Sequence, residues 1–223
     1  MMLRQFAKFA IAITTIVTSS LLPVACTQAA QANVEGNILE SRQFPAGNII
    51  VDAAYTYVGM TEFVLYGVAN CEIHVFAALD GNRVKSFYWI QFEGYLPDNR
   101  NTYQYNKDPQ RTMIGGHAFH ERVFLGNVEE ARSRQRPGSD SAAVRKLLEE
   151  KGYLIGPEVM QLRLVRLDEN ARRELMIIYS ENLDTHGLKA ADLAEGGNAF
   201  TRREEMIDGL RQRAVAGLKM QMK

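Results

Sequence analysis

The stretch Cys71 to Gly94, CEIHVFAALDGNRVKSFYWIQFEG, restricts the fold of this chain more than any other segment. Asp80-Gly81-Asn82 supplies residues that tolerate positive φ, which a tight two-residue hairpin needs if its twist is to match the flanking strands. Ile73, Val75, Ala77 and Leu79 alternate before the turn, and Val84, Ser86, Tyr88, Ile90 and Phe92 alternate after it. A two-residue loop pairs odd positions of the first strand with even positions of the second, so both sets are expected on one side. The other side then carries Glu72, His74, Arg83, Lys85, Gln91 and Glu93, together with the aromatics Phe76, Phe87 and Trp89. Three large rings do not suit a solvent face. Either a helix or second sheet covers them, or they form a recognition surface.

Further hairpins extend this one into an antiparallel sheet. Ile49 to Val58 and Phe63 to Val68 are rich in β-branched and aromatic residues and are separated by Gly59, which predicts a hairpin leading into the central one. Glu158 to Leu183 predicts another, with a turn at 168–173 and a return strand, LMIIY, apolar on both faces and so expected in the sheet interior. Leu96 to Pro109 reads as a loop that carries Tyr103 and Tyr105, and Glu129 to Gly138 as a solvated linker with Arg132, Arg134 and Arg136. Ser139 or Ser141 starts a helix with Val144, Leu147 and Leu148 on its stripe, and Gly152 ends it. Thr201 and Glu204 form a capping box for a C-terminal helix bearing Ile207, Leu210, Ala214 and Leu218. The expected class is α+β: a curved antiparallel sheet with a central and a C-terminal helix packed against one face.

The domain plan follows from the N-terminus. Residues 1–32 read as a secretory signal peptide: Arg4 and Lys8 precede an apolar run from Phe9 to Leu22, and Ala30-Gln31-Ala32 fits a small-x-small cleavage rule with the cut after Ala32. Residues 33–46 are polar and unpatterned and read as an arm, and 47–223 as a single globular domain. The run Leu22-Pro23-Val24-Ala25-Cys26 resembles a bacterial lipobox, with Pro23 where leucine is usual; the resemblance implies lipidation at Cys26. A retained N-terminal anchor is the third reading. The expected location is the periplasm or cell exterior, with membrane contact only through such an anchor.

Charge and cysteine content narrow the partners. Of 26 Lys and Arg against 26 Asp and Glu, two bases sit in the leader, leaving 24 against 26 and a charge of about −2. No cationic excess remains to displace phosphate counterions, which excludes nucleic acid as a partner. With Cys26 gone, Cys71 is the one remaining thiol and forms no internal disulfide; it is expected as a small buried hydrophobe.

The chemically richest segment is Arg111 to Leu125, RTMIGGHAFHERVFL. As a strand it sends His117 and His120 to opposite faces, so one strand does not present both to a metal. No nucleotide fingerprint, nucleophile elbow or cysteine-pair metal motif is present, and no cofactor is expected. Two functions remain. The first is a non-catalytic cell-envelope module binding an apolar or amphiphilic ligand, or a protein partner, through Phe76, Phe87, Trp89, Tyr103 and Tyr105. The alternative is a hydrolase or metal-dependent enzyme using His117, His120 and Glu121 with a distant His74 or His186. Whether a reaction is catalysed stays open.

Overall fold

The computed structural model describes residues 31–105, 107–108 and 110–223. Cys26 and the apolar leader run lie outside these residues. In chain order the elements are β1 (Ala32–Glu35), β2 (Ile38–Ser41), β3 (Gly47–Val51), β4 (Thr56–Leu65), β5 (Ala69–Asp80), β6 (Arg83–Tyr95), β7 (Arg111–Ile114), β8 (His117–Asn127), α1 (Val128–Ser133), α2 (Asp140–Glu150), β9 (Leu154–Ile155), β10 (Glu158–Leu167) and β11 (Arg173–Asn182). Three short 3₁₀ turns follow at Leu183–His186, Ala190–Leu193 and Phe200–Arg202, then α3 (Arg203–Ala216) and β12 (Leu218–Met222).

The strands form two sheets, antiparallel throughout except where β9 pairs in parallel with β6. The larger runs β4-β5-β6-β11-β10-β8-β7, and the smaller β1-β2-β3-β12. The interior position expected for LMIIY holds: β11 lies between β6 and β10, and every residue after Arg173 is buried.

The central hairpin forms at the expected turn, with Gly81 at φ +59, but its faces are not those the alternation predicts. Asp80 pairs with Arg83 and Leu79 with Val84, yet Ala78 pairs with Ser86, so Lys85 is an extra, unpaired residue on β6. One inserted residue exchanges the faces of everything beyond it. Val75 therefore lies opposite Trp89, and Phe76 opposite Tyr88. Phe87 and Trp89 join Ile73, Val75 and Ala77 on one face, while Phe76 joins Tyr88, Ile90 and Phe92 on the other. The three rings expected as one patch are thus divided between two cores, and each is no more than 5% exposed.

Both faces of the larger sheet are covered. On the Phe76 side lie the smaller sheet, through Leu39, Ile49, Val51 and Leu218, and α3, through Met206, Leu210 and Ala214. On the Trp89 side lies α2, through Val144 and Leu148. The helices hence occupy opposite faces, correcting the expectation that they share one. Two ion pairs fasten α3: Arg211 to Glu121 at 2.7 Å and Arg213 to Glu181 at 2.6 Å.

Other boundaries move for local reasons. The segment 33–46, read as an arm, contains most of β1 and all of β2, and fully buried Leu39 fixes this hairpin in the smaller sheet. The hairpin expected from 49–58 and 63–68 is instead β3 in one sheet and a continuous β4 in the other. Gly59 does not end β4; with φ +146 it occupies a register shift within it. Asn127 accepts from the amides of Glu129 and Glu130 and starts α1 where a linker was expected. Ser139 caps α2 as predicted. The Thr201 box is not made, since a 3₁₀ turn leads into α3 from Arg202, and Leu218 begins β12 rather than ending the helical stripe.

Candidate functional site

The bulge that turns Phe87 and Trp89 towards α2 also places them at the floor of a cleft of about 370 Å³. Its floor combines Phe87 and Trp89 of β6 with Val159 and Gln161 of β10 and Ser180 of β11. Its walls come from α1, through Val128 and Ala131, from α2, through Val144, and from Ile155 of β9. The lining is mainly apolar, as expected of a small-molecule site. Gln161 donates to Ser180 at 3.3 Å, giving the floor one polar point. Glu130, Arg134 and Ser141, all exposed, and half-buried Arg145 bring charge to the mouth. Arg134 is neutralised by Glu130 at 3.3 Å, whereas Arg145 donates to the neutral amide oxygen of Gln135.

The cleft floor continues into a buried polar chain on the same face. Trp89 Nε1 donates to Gln91 at 2.9 Å, and Gln91 Nε2 donates to Glu93 at 2.5 Å. Glu93 sits directly across the strand pair from Glu174, an arrangement that places two carboxyl groups side by side in the interior. Tyr103 donates to Glu93 at 2.8 Å and Tyr105 to Glu174 at 2.7 Å, so the loop after β6 is strapped over the acids by its two tyrosines. Arg163 lies over the Tyr105 ring and pairs with buried Asp108 at 2.6 Å, fixing the far end of the strap.

Burial dominates the protonation of this group. Glu174 is pushed up to about 8 by loss of solvent and by the neighbouring Glu93 charge, against the pull of Tyr105 and Arg163. Glu93 is also raised by burial, with hydrogen bonds from Tyr103, Cys71 and Gln91 opposing. Cys71 donates to Glu93 at 3.3 Å, and both its burial and that carboxyl drive the thiol pKa far upward. A thiol held protonated is not a nucleophile, so Cys71 behaves as the buried hydrophobe expected from its sequence context.

The structure distributes the predicted residues unevenly. Phe87 and Trp89 meet at the cleft, while Phe76 belongs to the opposite core and makes no part of it. Tyr103 and Tyr105 act on the acid pair rather than on the cleft lining. His117 and His120 lie on β8 with sides facing apart; the His120 ring meets the Tyr105 ring at a tilt, centroids 5.6 Å apart, and burial with Arg166 nearby lowers the pKa of His117. Glu121 is taken by Arg211 and Thr112. His74 and His186 are engaged by Glu72 at 2.8 Å and Glu181 at 3.4 Å. Among the described residues, no group of three His, Cys, Asp or Glu side chains is placed to hold a metal ion.

The alternation puts Glu93 on the charged face of the central hairpin, so the sequence carries no signal for the acid pair of Glu93 and Glu174; the unpaired Lys85 turns Glu93 inward. Their apposition needed the cross-strand register. No family model, curated protein or solved structure matches this chain.

Proposed function

We propose that this chain is an exported, non-catalytic binding module of the cell envelope whose cleft takes one amphiphilic molecule with an apolar tail and a single anionic head. The observation that carries this reading is the cleft itself, whose apolar floor and walls face a mouth where Arg145 has a neutral partner. Its volume of about 370 Å³ lies in the range of small-molecule sites, roughly 300–1,000 Å³. A tail lying over the nearly buried floor and against Phe124, Val128 and Ile155 removes apolar surface from water, stabilising the complex by about 25 cal/mol per Å² before ordering costs. A head group at the mouth meets the Arg145 guanidinium, a fork suited to carboxylate. The buried acids behind Trp89 serve this reading as scaffold, holding the strap and the indole in place through Gln91.

Trp89 is the one tryptophan of the chain and lines the floor, so intrinsic fluorescence reports the site without a label. Titration with dodecanoate should give a saturable change in Trp89 emission. Dodecanol should bind more weakly, and Arg145→Ala should abolish most of that difference. An emission spectrum unaltered by either compound up to their solubility limits would overturn the proposal.

A further inference from the structure

The N-terminal edge of the fold carries an inference about maturation, resting on the reading of the first residues as an export leader. Glu72 is a buried carboxylate on β5, 6% exposed, and it faces the start of β1. One of its oxygens accepts from the backbone N–H of Gln31, and the other from Ala32 N–H at 2.8 Å and from His74 Nε2 at 2.8 Å. His74 is in turn in contact with the Tyr57 hydroxyl at 3.1 Å, which completes a Tyr57–His74–Glu72 chain beneath the strand. Burial alone would raise the Glu72 pKa, but His74 and the two amides more than offset this and hold it below its ordinary value.

The same two residues are fixed on their other sides. Ala32 is buried and pairs with Ser41, Arg42 donates to the Gln31 carbonyl at 2.9 Å, and the Gln31 side chain donates to the Phe44 carbonyl at 2.6 Å. A cut after Ala32, the bond that the small-x-small rule selects, would remove every one of these contacts and leave buried Glu72 with His74 alone. Stranding a buried carboxylate in this way is costly.

We propose that maturation leaves Gln31 and Ala32 attached to the folded body, with Glu72 as their docking carboxylate and the first residue of the mature chain lying between Cys26 and Gln31. Two processing chemistries satisfy this. In one, a peptidase hydrolyses a single peptide bond after Ala29 or Ala30, the new carboxylate leaving with the leader and the new amine staying on the mature chain. In the other, the Cys26 thiol takes a diacylglyceryl group from a glycerophospholipid, whose phosphorylated head group departs, and hydrolysis then frees the Cys26 amine.

Two measurements test the proposal. The full chain, expressed with its own leader in a bacterial host, is purified from the soluble and membrane fractions for intact mass and N-terminal sequencing. A first residue from Cys26 to Gln31 is expected, and a diacylglyceryl mass on Cys26 in the membrane fraction separates the lipidated route from a plain cut. A mature chain beginning at Asn33 or later, or a leader left uncut, overturns it. In parallel, chains beginning at Gln31 and at Asn33 are released from a cleavable fusion partner. The Asn33 chain should melt lower by on the order of 5 °C; equal melting midpoints would contradict the docking role of Glu72.

Discussion

Replacing Glu174 by glutamine should raise stability at neutral and alkaline pH, and the size of the effect follows from where that carboxyl lies. Glu174 is 3% exposed, faces Glu93 across the β6–β11 pair, and accepts from Tyr105 of the strap. Arg163 of β10 and Asp140 of α2 also act on it, the first lowering and the second raising its pKa. Its pKa rises from 4.5 to about 8 on folding. Because the folded value is the higher, the unfolded chain releases this proton first. Stability from holding it is complete below pH 4.5 and is lost as pH rises through about 8. At 1.36 kcal/mol per unit, the loss is roughly 1 kcal/mol at pH 5, about 3 kcal/mol at pH 7, and on the order of 5 kcal/mol once the group is ionised in both states. Glutamine keeps the shape and a carbonyl for Tyr105, and it has no proton to lose. Urea unfolding followed by Trp89 emission and far-ultraviolet circular dichroism from pH 5 to 9 should show Glu174→Gln gaining on the unmodified chain by roughly 3 kcal/mol between pH 5 and 8. Parallel profiles, with the gap constant to about 0.5 kcal/mol, would refute the assignment of a buried, protonated Glu174.

Two further substitutions probe how the layers are joined. Gly115→Ala should destabilise the fold by roughly 1–3 kcal/mol, because Gly115 has φ +57 in the β7–β8 turn and an added Cβ would lie 2.5 Å from the Met220 carbonyl of β12; an unchanged melting midpoint would argue against that contact. Arg213→Met should cost about 1–3 kcal/mol at pH 7 by leaving buried Glu181 without its guanidinium. Burial would raise the Glu181 pKa, but Arg213 and Tyr179 lower it overall, so this stabilisation is lost as pH falls. The variant's deficit should therefore shrink towards acid pH in denaturant titrations, and a deficit that grows there would contradict the pairing.

Much of the larger sheet was legible because turns and alternation are local. The Asp80-Gly81-Asn82 corner, the β10–β11 hairpin, the interior placement of LMIIY and the Ser139 cap all follow from neighbouring residues, and all are found. The faces of the central hairpin were not legible. Lys85 is exposed and has no feature that marks it as a bulge, yet its insertion moves Trp89 to the α2 side and leaves Phe76 on the α3 side. The smaller sheet was hidden for a different reason: β3 finds its partner β12 at the far end of the chain, and the two-stranded start, β1-β2, is too short and polar to signal itself. At the candidate site, Phe87 and Trp89 stood out as rings on a face of charged neighbours. Gln161, Ser180 and Arg145 gain meaning only once β10, β11 and α2 are brought beside them.

The most direct test of the binding account is calorimetric titration of dodecanoate into the unmodified chain and into Val144→Trp, a substitution that fills the cleft from the α2 side. Saturable 1:1 binding with a negative heat-capacity change is expected for the unmodified chain, together with at least about tenfold weaker binding by a variant that remains folded. Equal affinity in the filled variant, or no binding heat at any temperature in the unmodified chain, would contradict the account.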